Sequence, residues 1–413
     1  MKEPQRSKYS FYGLGIAPRI LKALYRMKFT IPTPIQHKAI PIEIEGKDLI
    51  GVAQTGTGKT LAFAIPIIQR LSHIKGRCLV ITPTRELALQ VDETFRKLAP
   101  LFNIKTVVII GGAPMGSQLK ALKKNPRVII ATPGRLIDHM NQRTVQLSDV
   151  DILVLDEADR MLDMGFLPDI KRILKFIPRK RQTMLFSATI PGEIVEIAAS
   201  YMKLPIHVEV APSGTAPEEI IQELFIVKKS AKNHLLAKLI DQYYGPILLF
   251  SRTKRGAKKL NKLIKGMGYK AAEIHSDRSL SQRRQALEGF KNGRYKILVA
   301  TDIAARGIDV TGIELVINYD LPDDSEQYVH RIGRTGRAGH KGRAISFATP
   351  EQNKDVRSIE KVIKTALPIS EHPDLPRESF ITRSGHQGKR NHRRKPHFHG
   401  KRRNKRTKNG HNY

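Results

Sequence analysis

The stretch Ala53-Gln54-Thr55-Gly56-Thr57-Gly58-Lys59-Thr60 constrains this chain more than any other. It follows the apolar run Leu49-Ile50-Gly51-Val52 and precedes Leu61-Ala62-Phe63-Ala64-Ile65. A glycine loop so placed needs a strand behind it and a helix ahead, the context of a phosphate-binding P-loop. The glycines let successive backbone N–H groups turn toward one anion, and the new helix adds its positive end. Thr55, Gly56, Thr57, Gly58 and Lys59 are therefore expected around phosphates, with Lys59 reaching the outer ones and Thr60 offering its hydroxyl to Mg2+.

Apolar, β-rich runs recur between helical stretches in two sets. The first is Leu49–Ala53, Cys78–Thr82, Thr106–Ile110, Val128–Ala131, Ile152–Leu155 and Thr183–Phe186. The second is Glu223–Val227, Ile247–Phe250, Ala271–Ile274, Ile297–Ala300, Leu315–Asn318 and Ala344–Ala348. Strands alternating with helices imply parallel sheets covered on both faces, so two sets predict two tandem α/β domains. The expected division is 1–207 and 220–370, joined by a Pro/Gly/Ser-rich linker over 208–219 and followed by a basic, disordered tail over 371–413.

Charge narrows the partner. The 413 residues carry a formal +34, and Ser379 to Tyr413 hold twelve Lys and Arg with no acid, leaving the body at +22. A basic body with a more basic tail points to a polyanion, nucleic acid before all others. The tail histidines, His386, His392, His397, His399 and His411, fit no structural zinc spacing. The single cysteine, Cys78, excludes a disulfide framework and reads as an inert buried thiol, in keeping with a cytoplasmic location. The longest apolar run, Leu61 to Ile68, is too short to span a bilayer, and the charged N-terminus has no apolar segment behind it, so neither a membrane span nor a signal peptide is expected.

The chemistry gathers at strand ends, where open α/β sheets bind ligands. Ile152-Leu153-Val154-Leu155 runs into Asp156-Glu157-Ala158-Asp159. Three carboxylates in four residues at the end of a buried strand are costly without a cation. Asp156 is expected to hold Mg2+, and Glu157 to orient and deprotonate the attacking water. Positive charge for the transferred phosphoryl group is expected from Arg334 and Arg337, in His330-Arg331-Ile332-Gly333-Arg334-Thr335-Gly336-Arg337, three apart on one face of a helix. These two lie in the second domain, so hydrolysis is expected to require domain closure.

Asp156-Glu157-Ala158-Asp159 and its companions resemble the DEAD-box RNA helicases of helicase superfamily two, over about Phe11 to Pro368. The resemblance implies two RecA-like domains. Phe29-Thr30-Ile31-Pro32-Thr33-Pro34-Ile35-Gln36 is similar to the Q motif, which implies that Gln36 reads adenine and Phe29 stacks on it. Pro83-Thr84-Arg85-Glu86-Leu87-Ala88, Gly111-Gly112 and Thr132-Pro133-Gly134-Arg135 resemble RNA-backbone motifs, implying contacts from Pro83, Thr84, Arg85, Gly112, Thr132 and Arg135. Phe250-Ser251-Arg252-Thr253 and Val299-Ala300-Thr301-Asp302 imply second-domain contacts from Arg252 and Thr301. Ser187-Ala188-Thr189 implies coupling of hydrolysis to strand separation through Ser187, Thr189 and Asp159, and Arg306-Gly307-Ile308-Asp309 places Asp309 at the nucleotide ribose.

His275-Ser276-Asp277-Arg278-Ser279-Leu280-Ser281-Gln282-Arg283 most resembles the bacterial RhlE-type branch. Leu280 stands where the family's Gln-x-x-Arg element has glutamine, which leaves Arg283 without that partner. The implied function is an ATP- and Mg2+-dependent RNA helicase, monomeric, able to remodel short duplexes or RNA–protein complexes. A DNA-directed helicase and a non-enzymatic RNA clamp or chaperone are the alternatives. Duplex opening on all-DNA substrates distinguishes the first, and binding without ATP turnover the second.

Overall fold

The computed structural model describes residues 10–54, 56–210, 220–305, 310, 312–336 and 342–381. Within them the apolar runs become two seven-stranded sheets. The first comprises β1 (Leu49–Val52), β2 (Arg77–Ile81), β3 (Thr106–Ile109), β4 (Val128–Ala131), β5 (Val150–Asp156), β6 (Gln182–Ser187) and β7 (Ile206–Glu209). The second comprises β8 (Ile220–Ile226), β9 (Ile247–Phe250), β10 (Ala271–Ile274), β11 (Ile297–Ala300), β12 (Leu315–Asn318), β13 (Gly342–Ala348) and β14 (Ile369–Ser370). The orders are β3-β4-β2-β5-β6-β1-β7 and β10-β11-β9-β12-β13-β8-β14. Shifting the first by seven gives the second, and the neighbouring strands run parallel throughout. Each sheet has an apolar cluster on either face, as parallel sheets require.

Two edge strands fall outside the expected runs. Residues 208 and 209, expected in the linker, instead end β7, which pairs with β1 through Leu49↔Ile206 to Val52↔Glu209 and buries Val208 in the first core. In the second sheet β14 pairs with β8, and the chain beyond it stays packed on that domain. Phe380 and Leu375 join its apolar clusters, and Glu378 and Asp374 pair with Lys228 and Lys238 at 3.0 and 2.7 Å. Residues 371–380 therefore belong to the folded body rather than to the tail. The rest of the expected tail, from 382 on, lies outside the described residues, as does most of the expected linker.

The helix Lys59–Leu71 shows why the glycine loop sits where it does. Ten of its thirteen residues are buried, so it runs through the core behind β1. Its N-cap, Gly58, has φ +88°, and a Cβ there would lie 2.3 Å from Gln36 Nε2, so only glycine fits. Cys78 is fully buried, and burial pushes its thiol well above the ordinary range, which makes it inert. Among the described residues no helix is long and apolar enough to cross a membrane.

Candidate active site

Lys59 is buried at the start of its helix, with Nζ donating to the Ala53 carbonyl at 2.6 Å. Thr57 Oγ1 closes the loop on the Gln54 carbonyl at 2.7 Å. Thr60, on the first turn, is half-buried beside them. Gln36 ties in the helix Pro34–Ile44. Its Oε1 accepts from the Thr33 N–H at 3.0 Å, within a reciprocal capping box, and its Nε2 donates to the Gly58 carbonyl at 3.0 Å. The amide thereby fixes the P-loop while one lone pair and one N–H remain for a base. Phe29 is 44% exposed, as an aromatic that must meet a ligand would be.

At the end of β5, Asp156 is 2% exposed and its Oδ1 has no hydrogen-bond partner among the described residues. Burial, opposed by Lys59 and reinforced by Glu157, pushes its carboxyl up to about 7. An orphaned buried carboxylate oxygen in the field of Lys59, the residue before Thr60, suits a hard cation such as Mg2+.

Glu157 follows in the left-handed conformation, φ 53° and ψ 53°, uncommon for a side chain with a Cβ and typical of strain held at functional turns. Burial alone would raise its pKa, but Arg160, Lys59 and Arg334 together hold the carboxyl below its ordinary value. Arg160 Nη1 makes the direct contact, 2.9 Å from Oε2, with both side chains buried. Glu157 is thus a fixed anion and a weak base, better suited to orienting a water than to taking its proton unaided. Arg160 was absent from the sequence-based expectations, although its i,i+3 spacing from Glu157 is readable.

Asp159 closes the other end of this turn. Its Oδ2 accepts from the N–H groups of Ala188 and Thr189, at 3.0 and 2.9 Å, and from Thr189 Oγ1 at 3.2 Å. Its own N–H donates to Ser187 Oγ at 3.1 Å. Ser187, Thr189 and Asp159 are therefore one unit joining β5 to β6.

The second domain enters through Arg334, which is buried and close enough to Glu157 to stabilise its charge. A cavity of about 20 Å³ is lined by Arg160 from the first domain and by Asp302, His330, Arg331 and Arg334 from the second. The helix here covers only Glu326–Ile332, so Arg334 lies in the turn beyond it and not on a helical face as expected. Gly333 is the C-cap at φ −65°, and three residues on Gly336, at φ +65°, turns the chain in a conformation that favours glycine. Arg337, Asp309 and Thr55 lie outside the described residues. Arg331 is the brace. It grips Asp302 with Nε and Nη2 at 2.5 and 2.7 Å, donates to Asn318 and the Asp320 carbonyl, and lies over the Phe250 ring.

The expected RNA contacts line the strand ends. Gly112 has φ +76°, and a Cβ there would strike the Arg85 guanidinium at 2.3 Å, so the glycine is what lets Arg85 lie flat. Arg135 donates to the Ala113 carbonyl at 3.0 Å, tying the Thr132–Arg135 turn to the same glycine loop. Thr84 caps the helix Arg85–Leu98, accepting from the Leu87 N–H, and Pro83 precedes it. Arg252 contacts Asp323 at 3.2 Å and the Leu321 carbonyl at 3.3 Å, and Thr301 sits half-buried at the end of β11.

Arg283 does find a partner. Its Nη2 lies 2.8 Å from Glu86 Oε2, across the two domains and buried on both sides. Burial pushes the Glu86 carboxyl up, with Arg283 pulling back. Leu280, in the place of the family's glutamine, packs against the first domain's apolar core. The two residues are 197 apart in sequence, and no local pattern links them.

A split phosphate site built from two RecA-like domains, with a Mg2+-suited acid on one and a basic side chain arriving from the other, defines a nucleoside triphosphatase governed by its domain interface. The chain belongs to the DEAD-box helicases: residues 33–197 match the model of the DEAD/DEAH box helicase and residues 231–339 that of the helicase conserved C-terminal domain. It is 42% identical to the DEAD-box ATP-dependent RNA helicase RhpA of Helicobacter pylori, over 92% of this chain and 78% of that one. It is 44% identical to the DEAD-box ATP-dependent RNA helicase CshA of Bacillus subtilis, over 89% and 75%. Among solved structures it resembles S. cerevisiae Dbp5 bound to RNA and ADP BeF3, with TM-score 0.79, 32% identity and coverage of 88% and 95%.

Proposed function

We infer that the chain is an ATP-dependent RNA helicase that separates short duplexes or remodels RNA–protein complexes, working in the cytoplasm. The observation that carries this reading is the cavity that Arg334 of the second domain shares with Arg160 of the first, the residue paired with Glu157 at 2.9 Å. Gln36 and Phe29 flank the adenine, and the P-loop amides with Lys59 take the phosphates. Thr60 and Asp156 hold Mg2+, which when bound neutralises phosphate charge. Glu157, kept anionic by Arg160, orients the attacking water. Arg334, joined by Arg337, meets the charge that develops on the transferred phosphoryl group.

RNA lies along Pro83, Thr84, Arg85, Gly112, Thr132 and Arg135 of the first domain and Arg252 and Thr301 of the second. Contacts run to phosphates and 2′-hydroxyls, so sequence matters little. Because RNA and ATP each span both domains, each favours the arrangement in which Arg334 is in place. Asp159 transmits the state of the phosphate site to Ser187 and Thr189. The basic tail adds a tether.

The test is ATP hydrolysis and duplex separation with and without RNA. Glu157→Gln is expected to lower turnover by about 10²–10⁴-fold while ATP and RNA still bind. Turnover indifferent to RNA, or unimpaired in that variant, refutes the reading.

A further inference from the structure

The two sheets share one strand order, and the second domain has a crevice beyond β8, β9 and β12, the counterparts of β1, β2 and β5, so it takes in the position of the P-loop and extends past it. Such crevices form where neighbouring strands send their connections to opposite faces, whatever the sequence. Here it is open: a cavity of about 700 Å³ is lined by residues following β8 (Lys229, Lys232), β9 (Arg252, Arg255, Lys259) and β12 (Tyr319, Asp320).

The correspondence extends to side chains. Lys59 is the first residue of the helix after β1, and Lys232 is the first residue of the helix Lys232–Gln242 after β8. Both are buried. Lys59 Nζ donates to a backbone carbonyl at 2.6 Å, and Lys232 Nζ donates to the Tyr319 carbonyl at 2.7 Å. Lys59 sits in the field of Asp156 at the end of β5, and Lys232 faces Asp320, just past β12, at 3.5 Å. Asp320 is further satisfied by the Ser251 hydroxyl and the Arg252 N–H. Its charge is therefore offset, and Lys229, Arg255 and Lys259, which make no ion pair among the described residues, leave the crevice electropositive.

The difference lies in the turn. Between β8 and its helix runs Val227-Lys228-Lys229-Ser230-Ala231, without glycine. No chain of amides can wrap a triphosphate there. The lining instead combines these cations with apolar atoms of Leu260 and Leu263 and with the Tyr319 ring, whose centroid lies 5.2 Å from Lys232 Nζ.

We propose that this crevice binds a small phosphomonoester, its phosphate held by Lys232, Arg255 and Lys259 and its organic body lying on Leu260, Leu263 and Tyr319. The site is separate from the one that hydrolyses ATP.

The experiment uses the full chain with its P-loop saturated by Mg2+ and a non-hydrolysable ATP analogue, titrated with AMP by calorimetry. One further equivalent of AMP is expected to bind, while adenosine, lacking the phosphate, is not. Arg255→Glu with Lys259→Glu, both exposed positions, is expected to weaken AMP by about tenfold or more, the scale of a lost charge-assisted hydrogen bond. The milder Arg255→Ala with Lys259→Ala is expected to move in the same direction. Absence of AMP binding, or binding unaltered by the charge reversal, overturns the proposal. So does displacement of AMP by single-stranded RNA together with an equal loss of RNA affinity in the variant, which would assign the crevice to the RNA strand.

Discussion

The crevice of the first domain and that of the second are formed by corresponding strands, yet they differ in chemistry. In the first, glycines at 56 and 58 take positive φ, so amides, Lys59 and Thr60 can converge on phosphates. In the second, Lys228-Lys229-Ser230-Ala231 occupies the turn, and lysine with aspartate survives without the loop. Topology thus fixes where a ligand can sit, and a handful of turn residues decide what it is. In the proposed reaction the second domain acts through another part of itself, the turn that carries Arg334 beyond the helix Glu326–Ile332.

This inequality of the domains can be broken most severely at Arg334. Arg334→Ala is expected to reduce RNA-stimulated turnover by about 10³-fold or more, the scale of an arginine finger, with ATP-analogue binding kept. Equal hydrolysis by wild type and variant would mean that the first domain is self-sufficient. The interface offers the next test. Arg283→Ala leaves Glu86 buried without its cation when the domains meet. Apparent RNA affinity in the presence of an ATP analogue should fall by about tenfold to hundredfold, part of the 3–5 kcal/mol that an uncompensated buried charge can cost. Adding Glu86→Ala should restore some of it, and a double-mutant cycle with no coupling would show that the pair does not hold the domains together.

The smallest expected effect concerns pH. Asp156 is raised to about 7 in the folded protein, so the fold retains a proton that the unfolded chain releases near the ordinary value of 3.8. Stability from this group is therefore full in acid and is lost as pH rises through about 7. Glu86, also raised by burial, acts in the same sense, whereas the depressed Glu157 titrates below this window. Without Mg2+, the melting temperature of the wild type relative to Asp156→Asn should fall by a few degrees between about pH 4.5 and about pH 8. A constant difference would show that Asp156 is ionised throughout.

Much of this molecule is written locally. Twelve of the fourteen strands announce themselves as apolar or β-rich runs, and the glycine loop and the Asp156-Glu157 end of β5 carry their meaning within a few residues. The edge strands β7 and β14 do not. In β7 only Val208 is buried, and β14 has two residues, neither buried, so their sequences lack the continuous apolar signal. Arg160 could be inferred from its spacing to Glu157, whereas Glu86 and Arg283 could not be joined, since nothing within either segment encodes a partner nearly two hundred residues away.

By itself, the sequence determined the alternation of strands and helices, the phosphate loop and the acids beside it, because periodicity, glycine conformation and charge act over one turn or one strand. Only the tertiary structure decided that Arg334 reaches Glu157, that Arg283 closes on Glu86, and that the second domain repeats the first domain's crevice. Those facts depend on where distant strand ends are brought together, and that is set by the packing of two sheets rather than by any stretch of chain.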